Sequence, residues 1–109
     1  MQRGRAVIIG VGDGLSASLA RELARDHDLT LAARSGDKMR GVAAETGADT
    51  VLLDATDEAA VAALFDTLPQ PPRVVIYNPS SRVRGPVTEL AAHDVRKAIE
   101  VTAIGAFLA

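Results

Sequence analysis

The sequence has no cysteine, which excludes disulfides, thiolate metal sites and a thiol nucleophile. It also lacks an excess of charge of either sign. Twelve Lys and Arg face 14 Asp and Glu, scattered along the chain, for a net charge of -2. No basic field stands ready for a phosphate backbone, so a nucleic-acid partner is not expected. Long apolar runs are missing too. Arg3 and Arg5 precede only Ala6-Val-Ile-Ile9, too brief for a signal-peptide core or a membrane span. No membrane partner is expected, and a cytoplasmic location is the expectation. The two histidines, His27 and His93, are read as sitting in polar helix surroundings without a partner pattern, and neither is assigned to metal or catalysis.

What remains is 109 residues, 48% apolar and 24% charged, a length for one globular domain and not two. Short apolar runs alternate with stretches of helical period. Ala6-Val-Ile-Ile9 reads as a strand buried on both faces, ended by Gly10. Leu15, Leu19 and Leu23 recur every fourth residue, which predicts an amphipathic helix from Leu15 to Asp26. Leu29 to Ala33 is a second strand. Met39, Val42 and Ala43 share a face of a helix over Asp37 to Thr46, with Gly47 as its stop. Thr50-Val-Leu-Leu53 is a third strand. Thr56 or Asp57 then caps a helix with Val61, Leu64, Phe65 and Leu68 as its stripe, closed by Pro69, Pro71 and Pro72. Arg73-Val-Val-Ile-Tyr77 is the fourth strand. A loop rich in Pro, Ser, Arg and Gly follows, and Thr88 to the C-terminus is helical with a break expected near Thr102.

Strands alternating with helices predict an α/β fold, a Rossmann-like parallel sheet with helices on both faces. Right-handed crossovers give about four strands in the order 3-2-1-4. The fourth strand is as apolar as an interior one, yet nothing follows to cover its edge. The chain, residues 1–109, therefore reads as the front part of a larger domain.

The chemistry concentrates at the ends of the strands. Gly10-Val-Gly-Asp-Gly-Leu-Ser16 joins the first strand to the first helix. A glycine-rich turn there lets backbone N–H groups approach a pyrophosphate at the positive end of a helix. Leu15 occupies the last glycine position of G-x-G-x-x-G. The spacing fits G-x-x-x-G-x-G better, with Gly10 and Gly14 in place and Ser16 in the third slot. A tight turn without a ligand is the alternative.

With these residues in order, the chain resembles the N-terminal part of the short-chain dehydrogenases/reductases. Five landmarks carry the resemblance: the glycine turn, Ala33-Arg34-Ser35, Leu53-Asp54-Ala-Thr-Asp57, Tyr77-Asn78-Pro-Ser80 and Gly85-Pro-Val-Thr-Glu-Leu90. The resemblance implies a dinucleotide cofactor held by Gly10, Gly12, Asp13, Gly14, Leu15 and Ser16. NAD-selecting enzymes carry an acidic residue at the end of the second strand. Here Ala33 and Arg34 stand there, and a guanidinium clamps a 2′-phosphate. With Ser35 adding a hydroxyl, this implies NADP in preference to NAD. Asp13 cuts the other way, because a carboxylate repels phosphate.

By the same resemblance, Asp54, followed by Ala55, accepts from the adenine amino group. Asn78 supports the sheet and lines the nicotinamide side. Pro79 replaces an Ala of the family's Asn-Asn-Ala-Gly segment and cannot donate a backbone hydrogen bond, while Tyr77 replaces the first Asn. Thr102 stands where relatives have an Asn that holds a water of the proton relay; the alternative is a helix–helix contact. Arg82 and Arg84 either meet an anionic substrate or belong to a solvated loop.

The family's catalytic Ser and Tyr-x-x-x-Lys are absent. The only tyrosine is Tyr77, with Ser81 rather than Lys four residues on. The resemblance implies reversible carbonyl/alcohol oxidoreduction of a small molecule only if those groups are supplied. A non-catalytic nucleotide-binding or regulatory module is the rival, and a piece that binds nothing is a third reading. The last helix belongs to a region that forms dimer interfaces in relatives, so a homo-oligomer is a further implied partner.

Overall fold

A computed structural model describes residues 3–12 and 14–109. Asp13 lies outside the described residues. Four strands, β1 (Gly4–Ile9), β2 (His27–Ala33), β3 (Asp49–Leu52) and β4 (Pro72–Tyr77), form one parallel sheet in the order β3-β2-β1-β4. Helices α1 (Leu15–Leu23), α2 (Gly36–Thr46) and α3 (Glu58–Asp66) connect them. After β4 come a short 3-10 turn (Val87–Glu89), α4 (Ala92–Ile99), a π turn (Glu100–Ile104) and α5 (Gly105–Leu108). The expected architecture and strand order are those observed.

β1 is buried along its whole length because both faces of the sheet are covered. Successive side chains point to opposite faces. Ala6 and Ile8 join Leu29, Leu31, Ala17, Ala20, Met39 and Val42 in one core, beneath α1 and α2. Val7 and Ile9 join Ala32, Leu53, Val61 and Leu64 in the other, beneath α3. At roughly 25 cal/mol per Å2 of apolar surface, these two layers are the main source of stability.

The stripe expected on α1 is corrected by the structure. Leu15 is 65% exposed, and the buried positions are Ser16, Ala17 and Ala20, with Leu19 and Leu23 only packed alongside. Small residues face the sheet because the helix starts directly from the glycine turn and lies close to β1. Elsewhere the local signals hold. Gly47 closes α2 in the left-handed region at φ 70, and Asp57 caps α3 by accepting from the Ala60 N–H at 3.1 Å. The helix expected from Thr88 onward is interrupted, and the break near Thr102 is the π turn. His27 opens β2 beside Asp26, rather than sitting in a helix.

Candidate functional site

The carboxyl ends of all four strands open into one cleft. Its walls are the turn after β1 (Gly10, Val11, Gly12), the end of β2 with Arg34 and Ser35, the residues after β3 (Leu53 to Thr56), and Pro79 and Ser80 after β4. Lys38 of α2 and Val101 of the π turn complete it, around a volume of about 360 Å3. In open parallel sheets, the crevice outside the strand ends where connections reverse direction is where ligands bind. Here that reversal lies between β1 and β4.

Gly10 is required twice over. Its φ is 91, a region disfavoured for side chains, and a Cβ there would meet Pro79 at 2.7–2.8 Å. Its N–H donates to the Ala32 carbonyl at 2.8 Å. At Gly12 and Gly14 a Cβ would meet nothing within 4 Å. Gly12 thus leaves free space on the cleft side, and Gly14 is the N-cap of α1 without a side-chain hydrogen bond.

Ser16 ties the turn to the sheet from beneath. Its buried hydroxyl donates to the Gly10 carbonyl at 3.0 Å and accepts from Asn78 Nδ2 at 2.8 Å. The Asn78 backbone N–H donates to the Ile9 carbonyl at 2.9 Å, so Asn78 joins β4, β1 and α1.

Asp54 is exposed at the cleft. Its Oδ1 accepts from the Thr56 hydroxyl at 2.7 Å and from the Thr56 N–H at 2.9 Å. These two bonds, and next the Arg34 and Lys97 charges, hold its carboxyl below the ordinary carboxylate range. Arg34 and Ser35 are exposed at the rim.

The wall formed by Val101 is held from two sides. The Tyr77 hydroxyl donates to the Val101 carbonyl. Thr102 Oγ1 accepts from the Ser81 N–H at 3.1 Å and donates to the Ser81 carbonyl at 3.3 Å. The expected helix–helix contact of Thr102 is therefore replaced by a contact with the loop after β4. Burial, and then the Asp54 charge, raise the Tyr77 hydroxyl above its ordinary value.

Of the residues singled out from sequence, Gly10, Gly12, Arg34, Ser35, Asp54, Ala55 and Pro79 line the cleft. Gly14, Leu15, Ser16 and Asn78 do not, and Asp13 lies outside the described residues. Lys38, Thr56, Ser80 and Val101 line it without having been expected. Lys38 had a signal available, since it lies in the first turn of the helix that starts directly after Arg34 and Ser35. Val101 had none. Arg82 and Arg84 are exposed and line no part of this cleft. Among the described residues no metal-ligating cluster occurs, and no helix is long and apolar enough to cross a membrane.

No family model and no curated protein matches the chain. Solved structures do. A short-chain dehydrogenase from Rhodopseudomonas palustris is similar with 25% identity and a TM-score of 0.85, over 99% of this chain and 55% of its own. This is the short-chain dehydrogenase/reductase fold. A short-chain type dehydrogenase/reductase from Mycobacterium ulcerans has a TM-score of 0.89 at 20% identity, over 99% of this chain and 44% of its own. ElxO, solved with NADP bound, has a TM-score of 0.81 at 21% identity, over 98% and 47%. The chain thus spans about half the length of the short-chain dehydrogenase/reductase structures it matches.

Proposed function

We propose that this chain is the nucleotide-binding part of an NADP(H)-dependent short-chain oxidoreductase, and that the cleft at the strand ends holds the dinucleotide. One observation carries the reading: the four strand ends converge on a cleft with open glycine backbone at Gly12 and an exposed guanidinium at the rim, Arg34. The Gly12 backbone and the start of α1 at Gly14 and Leu15 would hold the pyrophosphate, aided by the helix dipole. Asp13 lies in the same turn and stays part of the proposal. Asp54, with Oδ1 occupied by Thr56, would accept from the adenine amino group through its second oxygen. Ala55 and Val101 would bound the ring. Arg34 and Ser35 would bind the 2′-phosphate and set the preference for NADP over NAD.

The residues present fit such a group: the glycine positions that would crowd a ligand carry no side chain, and the rim is cationic. Bound, the nicotinamide supplies hydride transfer in reversible carbonyl/alcohol oxidoreduction. This chain's residues bind and orient. Ser16 and Asn78 fix the turn, and Pro79 and Ser80 line the side toward β4. The proton transfer needs the family's catalytic Ser together with a Tyr-x-x-x-Lys, and this sequence holds no Tyr-x-x-x-Lys.

One observation favours a second reading, a nucleotide-binding module without catalysis. Thr102, at the family's Asn position, spends both its donor and an acceptor position on the Ser81 backbone instead of on a water.

Titration of the chain with NADPH and NADH by calorimetry tests the proposal. Tighter NADPH binding supports it. Equal affinities remove the cofactor preference, and no binding by the folded chain leaves only the fold. Turnover of NADPH with a carbonyl compound separates the enzyme from the module.

A further inference from the structure

The 12 Lys and Arg of this chain fall into three groups: five in ion pairs, four at the cleft, and Arg73, Arg82 and Arg84 in neither among the described residues. Among the described residues, ion pairs occupy Arg3, Arg5, Arg21, Arg25, Arg40 and His27. Four other cations, Arg34, Lys38, Arg96 and Lys97, collect around the cleft and a second cavity of about 360 Å3 that continues from it. The second cavity shares Arg34, Asp54, Thr56 and Val101 with the first, and its outer side is α4, through His93, Arg96 and Lys97. Among the described residues, two carboxylates, Asp54 and Glu100, line the two cavities with these cations, in a chain whose net charge is -2. Among the described lining residues, cations therefore outnumber carboxylates two to one.

The two groups of cations come from different elements. Arg34 and Lys38 come from the end of β2 and the start of α2; Arg96 and Lys97 come from the last turn of α4. Both Arg34 and Lys97 lie close enough to Asp54 for their charges to act on its carboxyl. The α4 side is also anchored. The π turn that follows it is bonded to Tyr77 at Val101 and to Ser81 at Thr102, so Arg96 and Lys97 do not sit on a freely swinging helix.

We infer that Arg96 and Lys97 form a second cationic wall for the phosphate on the adenosine ribose, in the cavity that continues from the cleft at Arg34. This rests on the dinucleotide reading above and adds an element which that reading leaves unused. A phosphate monoester carries a charge of about -1.5 to -2 at neutral pH, more than one guanidinium balances. Cations on both walls complete the compensation without crowding one side, and they raise the local concentration of the anionic nucleotide before it docks.

The test uses the full chain, calorimetry, and two probes: 2′,5′-ADP, which carries the ribose phosphate, and 5′-AMP, which lacks it. Both side chains are exposed, so the double variant R96Q/K97Q keeps the fold, checked by far-UV circular dichroism. Exposed charge pairs are individually weak, and the expected loss for 2′,5′-ADP is about fivefold, with 5′-AMP changing less than about twofold. The salt dependence of 2′,5′-ADP binding becomes shallower in the variant. An undiminished preference for 2′,5′-ADP in R96Q/K97Q, or equal losses on both probes, overturns the second wall alone. A wild-type chain that binds both probes equally, or neither, overturns the ribose-phosphate reading and the wall with it.

Discussion

The Tyr77 hydroxyl fills the place that a side chain on Gly105 would take. A Cβ built at Gly105 overlaps that hydroxyl and comes within 3.0 Å of Tyr77 Cζ and 3.1 Å of the Ala55 carbonyl oxygen. The same hydroxyl donates to the Val101 carbonyl, one turn earlier on the helix. The last strand, the π turn and α5 are thus locked at a single phenol.

Gly105→Ala tests the lock. Helix propensity alone favours Ala over Gly by about 1 kcal/mol. Overpacking costs about 1–3 kcal/mol, and the contact with Tyr77 makes it the larger effect. Urea unfolding is expected to show a net loss for Gly105→Ala, reduced in a Tyr77→Phe background. A double-mutant coupling of at least about 0.5 kcal/mol is expected. Strict additivity would mean that the two residues do not share this space.

The same phenol makes stability sensitive to alkali. Its folded value is raised above the ordinary 10.0 by burial and by Asp54. The neutral phenol is favoured in the folded state, so its contribution is fully present below pH 10.0 and lost as pH rises through the folded value. Stability measured from pH 8 to about 11 should fall more steeply for the wild type than for Tyr77→Phe.

Ser16→Ala removes the hydroxyl between Gly10 and Asn78. Two hydrogen bonds disappear, one of them to a part-buried carbonyl. A stability loss of about 1–2 kcal/mol is expected. Cofactor affinity should fall with it, because the glycine turn loses its support. Thermal unfolding with and without NADPH reads both effects; unchanged affinity would separate Ser16 from the cleft.

Arg34→Ala is expected to weaken NADPH binding by about 1.5 kcal/mol, the lower end for a charged hydrogen bond because Arg34 is exposed at the rim. NADH should be spared. Equal losses for both cofactors, read by calorimetry, would remove Arg34 from a phosphate role.

The strands, the helices and their order were legible because each carries its own local signal. A β-branched run such as Ala6 to Ile9 or Arg73 to Tyr77 specifies a strand wherever it falls, buried throughout in β1 and only partly in β4, and Asp57 and Gly47 mark helix ends through their own backbones. Gly10, Gly12, Arg34 and Asp54 were legible as cleft residues because they closely follow strands, and strand ends meet at one edge of a parallel sheet. Leu15 was misplaced for the opposite reason. Its spacing belongs to the helix, but which face of α1 turns inward depends on how closely the helix approaches β1.

Chain order and side-chain periodicity were enough for the parallel sheet, its 3-2-1-4 order and the cleft at the strand ends, since those follow from local preference and the handedness of connections. Contacts between residues far apart in the chain needed the folded structure. Thr102 reaching Ser81, Tyr77 reaching Val101 and Gly105, Pro79 against Gly10, and α4 cations lining a cavity with Arg34 have no signature in spacing. Each depends on how two separately formed elements settle against one another, and packing at close range is decided by atoms that the sequence separates by tens of positions.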